Sequence, residues 1–209
     1  ATPVFDGLKV AIDLEAAPAT RSPLFEAITR RQCSRAVYDG KEAPSEALRQ
    51  LESASREPGI SNIIITDRGK LSSIIDYVLQ GNSAQMQDKA FMDELRNWMR
   101  FSEADAVDKM DGLFSRASGN PALPSCMARP LLRLFFTEGG ENKKYRKHIG
   151  SSAGIAVFSS QIDDKAHWVA AGRACQRFAL QATALGLKYA FINQPVEVPL
   201  LRKQLASFL

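Results

Sequence analysis

Ala171-Gly-Arg-Ala-Cys-Gln-Arg-Phe-Ala-Leu-Gln-Ala-Thr-Ala-Leu-Gly-Leu187 is the stretch on which the fold turns. Traced back to Asp163-Asp164, which reads as its cap, it predicts one long helix from about Lys165 to Leu185. On that helix Trp168, Ala171, Gly172, Cys175, Ala179, Ala182 and Leu185 recur at three- and four-residue steps. The stripe is mostly small side chains, so a neighbouring helix can approach it closely. Gly186 is the natural stop. Ser151-Ser-Ala-Gly-Ile-Ala-Val-Phe158 before the helix reads as a central strand, and Tyr189-Ala-Phe-Ile-Asn193 after it as a final one. Gln194-Pro-Val-Glu-Val-Pro199 then leads into a terminal helix, Leu200 to Leu209.

Working outward, Leu8-Lys-Val-Ala-Ile-Asp-Leu14 alternates with period two, as a strand with one wet face does. Asn62-Ile-Ile-Ile-Thr66 is β-branched and apolar and reads as a buried strand. Helices are predicted from Pro44 to about Arg56, stopped by Pro58-Gly59, and from Leu71 to Leu79, ended by Gly81-Asn82. Asp88 to Phe101 is a further helix, with Phe91, Leu95, Trp98 and Met99 on one core-facing side, and Ser102-Glu-Ala-Asp105 caps another. From Asp111 to Pro130 the periodicity fails. That turn-rich, partly apolar stretch suits a loop over a pocket or an ordinary connection. Pro130 to Phe136 reads as a short helix, and Glu138 to Lys147 as solvated and mobile. Interspersed strands and helices predict an α+β fold over residues 1–209, a single domain with a central sheet flanked by helices.

Composition sets limits. The chain has 209 residues, 45% apolar and 24% charged, enough for one substantial core. Its net charge of +4 comes from 27 basic against 23 acidic residues, a mild excess. Outside Lys143-Lys-Tyr-Arg-Lys147 and one arginine cluster there is no basic stripe, so a small anion is expected ahead of nucleic acid. Cys33, Cys126 and Cys175 are odd in number and far apart, which suits reduced thiols. His148 and His167 lack metal-site spacing. No apolar run is long enough for a bilayer and no leader pattern opens the chain. A cytoplasmic location is expected, with a periplasmic one after leader removal left open.

The cluster is Ala27-Ile-Thr-Arg-Arg-Gln-Cys-Ser-Arg35, which follows the helix start Ser22-Pro23. On a continued helix Arg31 and Arg35 stand four apart on one face and can converge on a phosphate. A solvated basic helix end is the alternative reading. Arg31-x-Cys33-x-Arg35, followed by Tyr38-Asp-Gly and the run Pro44 to Leu51, resembles the opening of the FMN-dependent nitroreductase family. The small-residue helix ending in Ala-Leu-Gly-Leu, and the segment Asn193 to Val198, resemble that family's core helix and flavin-facing loop. The pattern is most similar to the Acg-like branch.

The resemblance implies a site and an activity. Arg31 and Arg35 would hold the flavin phosphate and tail, and Gln32 and Cys33 the ribityl region. Pro195, Val196 and Val198 would line the ring, with the Glu197 amide facing flavin N5. It implies FMN as cofactor, NAD(P)H as reductant, nitro, quinone or similar acceptors, and a homodimer. A flavin-binding or flavin-sequestering protein with little turnover is the alternative. An interaction module for an acidic partner is a third reading. The family's Pro-Ser-x-x-Asn-x-Gln-Pro-Trp stretch and its late basic residues are not found in this sequence, so the chain is also read as one part of a longer precursor.

Overall fold

Among the described residues, five helices begin on a side chain that accepts a hydrogen bond from their first turn, which satisfies amides that have no partner inside the helix. The computed structural model describes residues 3–5, 9–18, 21–118 and 136–209. In order these form β1 (Pro3–Phe5), β2 (Val10–Ile12), α1 (Pro23–Ala27), a 3₁₀ turn (Ile28–Arg30), α2 (Ser45–Ala54), β3 (Ser61–Ile65), α3 (Arg68–Gln87) and α4 (Lys89–Trp98). Then come β4 (Met99–Arg100), α5 (Glu103–Lys109), β5 (Leu113–Phe114), a second 3₁₀ turn (Ser115–Ser118) and α6 (Glu138–Gly150). The chain closes with β6 (Ile155–Ser159), α7 (Lys165–Ala184), α8 (Gln194–Glu197) and α9 (Pro199–Phe208). The fold is α+β, as expected. Among the described residues the strands pair two by two: β1 with β2 and β3 with β6 antiparallel, β4 with β5 parallel.

The chain folds as two compact units. The first holds residues 1–34, 43–65 and 155–189. Its ribbon pairs Ser61 with Ser159 through to Ile65 with Ile155. Phe158 meets the Phe178 ring edge-on at 5.6 Å, joining ribbon to α7. Ala174, Ala179, Leu180 and Ala182 are the buried residues of α7, while Trp168 is 59% exposed and donates its indole N–H to Asp163. The small-residue stripe is therefore buried only in its C-terminal half. Arg177 donates to the carbonyls of Ala54 and Arg56 just beyond α2, and Gln181 bonds Gln50. Glu57, its side chain 8% exposed, is gripped by Arg173 and Arg177.

The second unit holds residues 35–42, 66–154 and 190–209. Asp67 caps α3, which buries Leu71, Ile74, Ile75 and Val78 as the apolar spacing predicts. Gly81-Asn82 does not end this helix. It runs on to Gln87, because Gly81 gives room for a neighbouring backbone and buried Asn82 donates to Asn142 at 2.8 Å. Asp88 then does two jobs: its amide reaches the carbonyls of Ala84 and Gln85, and its carboxylate accepts from Ala90 and Phe91. The expected single helix to Phe101 stops at Trp98, leaving Trp98 52% exposed. Met99 instead enters β4 opposite Leu113 and packs with Phe101, Leu95 and Phe136. Arg100, nearly buried, donates to Asp111 and to the carbonyls of Asn97 and Met99. Those bonds outcompete continued helix.

The stretch from Glu138 to Lys147, expected to be solvated and mobile, is helical: Thr137 caps α6, and Glu141 and Ile149 are buried. Its contact with α3 is partly polar, through Asn142, Asn82 and Ser83, so no apolar stripe marks it. Within the stretch 111–130, expected as a loop over a pocket or an ordinary connection, the described part forms β5 and a 3₁₀ turn; the rest, and the short helix expected from Pro130, lie outside the described residues.

Candidate functional site

The arginine segment lies in the first unit up to Ser34. Pro23 starts α1, fully buried Ala27 seats it, and the β-branched Ile28-Thr29 pair passes into a 3₁₀ turn. The Arg31 amide closes that turn on the Ala27 carbonyl at 2.9 Å, and Arg31 itself is extended, with ψ at 125°. Cys33 then forms an isolated parallel bridge with Tyr189, and the Ser34 amide donates to the Tyr189 carbonyl at 2.8 Å. Arg31 and Arg35 thus do not share a helix face as the spacing predicts. The Tyr189 backbone offers this strip partners that a longer helix would forgo. The expected strand Tyr189 to Asn193 contracts to that single bridge.

Arg31, Gln32 and Cys33 are all exposed. Arg31 Nη1 donates to the Tyr189 hydroxyl at 2.6 Å, which fixes the guanidinium and leaves it further N–H groups for an anion. The Cys175 thiol on α7 is pushed up chiefly by burial, with the Arg31 charge opposing. It is a poor nucleophile at neutral pH. The strip can therefore hold a phosphate-like group by charge and hydrogen bonding.

The other predicted residues, Arg35 and Pro195 to Val198, lie in the second unit. Gln194 to Glu197 is one helical turn, not an open loop, with Pro195 fully buried and Val196 and Glu197 exposed. The amides of Val196 and Glu197 both donate to the Asn193 carbonyl, at 2.8 and 3.0 Å. Gln85 donates to the Glu197 carboxylate, and Arg202 to the Val196 carbonyl at 2.6 Å. Gln194 Nε2 donates to the Tyr145 hydroxyl at 2.6 Å, while its Oε1 is buried with no partner among the described residues. The Tyr145 phenol is pushed up, first by burial and then by Glu141, with Arg35 pulling the other way. It stays protonated at neutral pH. Arg35 is exposed and its charge reaches this phenol.

Sequence reasoning did not single out Gln85, Tyr145, Tyr189 or Gln194. Tyr145 sits inside the basic run Lys143 to Lys147, whose charge masked a phenol at a half-buried position. No protein-family model, curated protein or solved structure matches the chain.

Proposed function

We propose that this chain is an FMN-dependent oxidoreductase with a nitroreductase-like central sheet, working as a homodimer. It would carry reducing equivalents from NAD(P)H to nitro, quinone or similar acceptors. The observation that carries the reading is Arg31, an exposed guanidinium held by the Tyr189 phenol on an extended strip beside Cys33. In this reading Arg31 and Arg35 take the phosphate, Gln32 and Cys33 the ribityl hydroxyls, and Pro195, Val196, Glu197 and Val198 the ring. FMN, when bound, supplies the hydride and electron chemistry. The protein's part is to neutralise phosphate charge and to offer fixed polar groups along the ring edge.

One observation favours the second reading, a flavin-binding protein with little turnover. The Glu197 amide already donates to Asn193 at 3.0 Å, so it is not a free donor for flavin N5.

The test is the visible absorption spectrum of the purified protein before and after loading with FMN and removing the excess. Persistent flavin bands support the reading, and NAD(P)H oxidation with a nitroaromatic acceptor then separates enzyme from holder. A colourless protein that cannot be loaded removes both and leaves an interaction module.

A further inference from the structure

A four-residue helical turn does not hold itself together, because nucleating a helix fixes several residues for a single hydrogen bond. The conformation of Gln194–Glu197 must therefore come from what surrounds it. Gly81 of α3 lets the turn lie against the helix: a Cβ there would come within 2.7 Å of the Gln194 carbonyl carbon and 2.9 Å of its oxygen. One turn further along α3, Gln85 holds the Glu197 carboxylate, and from α6 Tyr145 accepts from the Gln194 carboxamide. These contacts grip both ends of the turn, while Val196 faces outward, 44% exposed.

We propose that Gln85 and Tyr145, with Gly81 beneath them, are positioning residues that fix the Gln194–Glu197 turn and thereby set what its outer face presents to a ring-bearing ligand. The identity of that ligand rests on the FMN reading. Neither side chain touches the ring; each acts through the turn. Tyr145→Phe removes one hydroxyl and Gln85→Leu one amide at nearly constant volume, so both variants keep the shape of the core.

The experiment measures hydrogen–deuterium exchange at the Val196, Glu197 and Val198 amides in the wild type, both single variants and the double variant. FMN affinity and the midpoint potential of bound FMN are measured on the same proteins. The expected result is exchange faster by about tenfold in the double variant, as local opening of one short element allows. Weaker FMN binding and a shifted potential should accompany it, with the thermal transition retained. Arg31→Ala, run alongside, should weaken FMN binding without changing exchange at these amides. Unchanged exchange overturns the proposal. So does faster exchange with FMN affinity and potential both unaltered. A wild type that takes up no FMN, combined with faster exchange in the variants, removes the FMN reading while the fixing of the turn stands.

Discussion

Arg31 shows what single residues disclose and what they conceal. Its charge and exposure could be read directly from the sequence; its extended backbone could not, because the competing partner, the Tyr189 main chain, lies 158 positions away. If FMN binds as proposed, replacing Arg31 by alanine removes a charge-assisted contact of about 1.5–3 kcal/mol, and FMN affinity should fall about ten- to a hundredfold. Fluorescence titration checks this. Lys41→Ala, which disturbs only an exposed pair with Asp39, should leave affinity unchanged. Glu57 presents a different case. It has no pattern around it in the sequence, yet it joins Arg173 and Arg177 to the end of α2. Glu57→Ala takes the shared carboxylate from two partly exposed guanidinium groups, while Arg177 keeps its carbonyl partners, and chemical denaturation should show a loss of about 1–3 kcal/mol, below the range for a fully buried pair.

At the scale of elements, legibility followed locality. Ser102, Asp88 and Asp164 act within a few residues, and each starts the helix that its type and position predict. Gly186, at φ +74°, ends α7 with the Leu187 amide returning to the Ala182 carbonyl, again a local device. The failures were elements whose partners lie elsewhere in the chain. β4 needs Leu113 and Phe114 as its ladder, and α6 packs through Asn142 on Asn82 in place of a stripe. Gly112 makes the β4–β5 pairing possible. A Cβ there would lie 2.2 Å from the Trp98 carbonyl oxygen, at a φ of +70° that L side chains avoid. Gly112→Ala should therefore cost about 2–4 kcal/mol, from overpacking plus backbone strain, read as a lowered denaturation midpoint.

For the whole molecule, acid is the telling perturbation. Asp111 is held below its ordinary 3.8 chiefly by the hydrogen bond from Arg100, Asp93 by Lys89, and Asp164 by the His167 amide and ring. Each binds its proton less readily folded than unfolded. The stability it adds is present above the ordinary carboxylate value and is lost as pH falls through the lowered folded one. His148 adds to this with the same sign: burial first, and then Lys144, hold its ring below the ordinary 6.5, so folding favours the neutral form. Its share is full above 6.5 and fades below it. Thermal melts should therefore show a small decline from pH 7 to 5 and a steep one below pH 4; a transition temperature that rises on acidification would contradict this assignment of charges.

Asp88 has a mechanical meaning. The twenty residues of α3 make a rod of about 30 Å, and α4 is a second, shorter rod; a single residue at φ −77° and ψ 113° is their whole joint. Its amide is locked to one rod and its carboxylate to the other. A change in those two dihedral angles would swing one rod against the other, so the angle between α3 and α4 is set at this one residue.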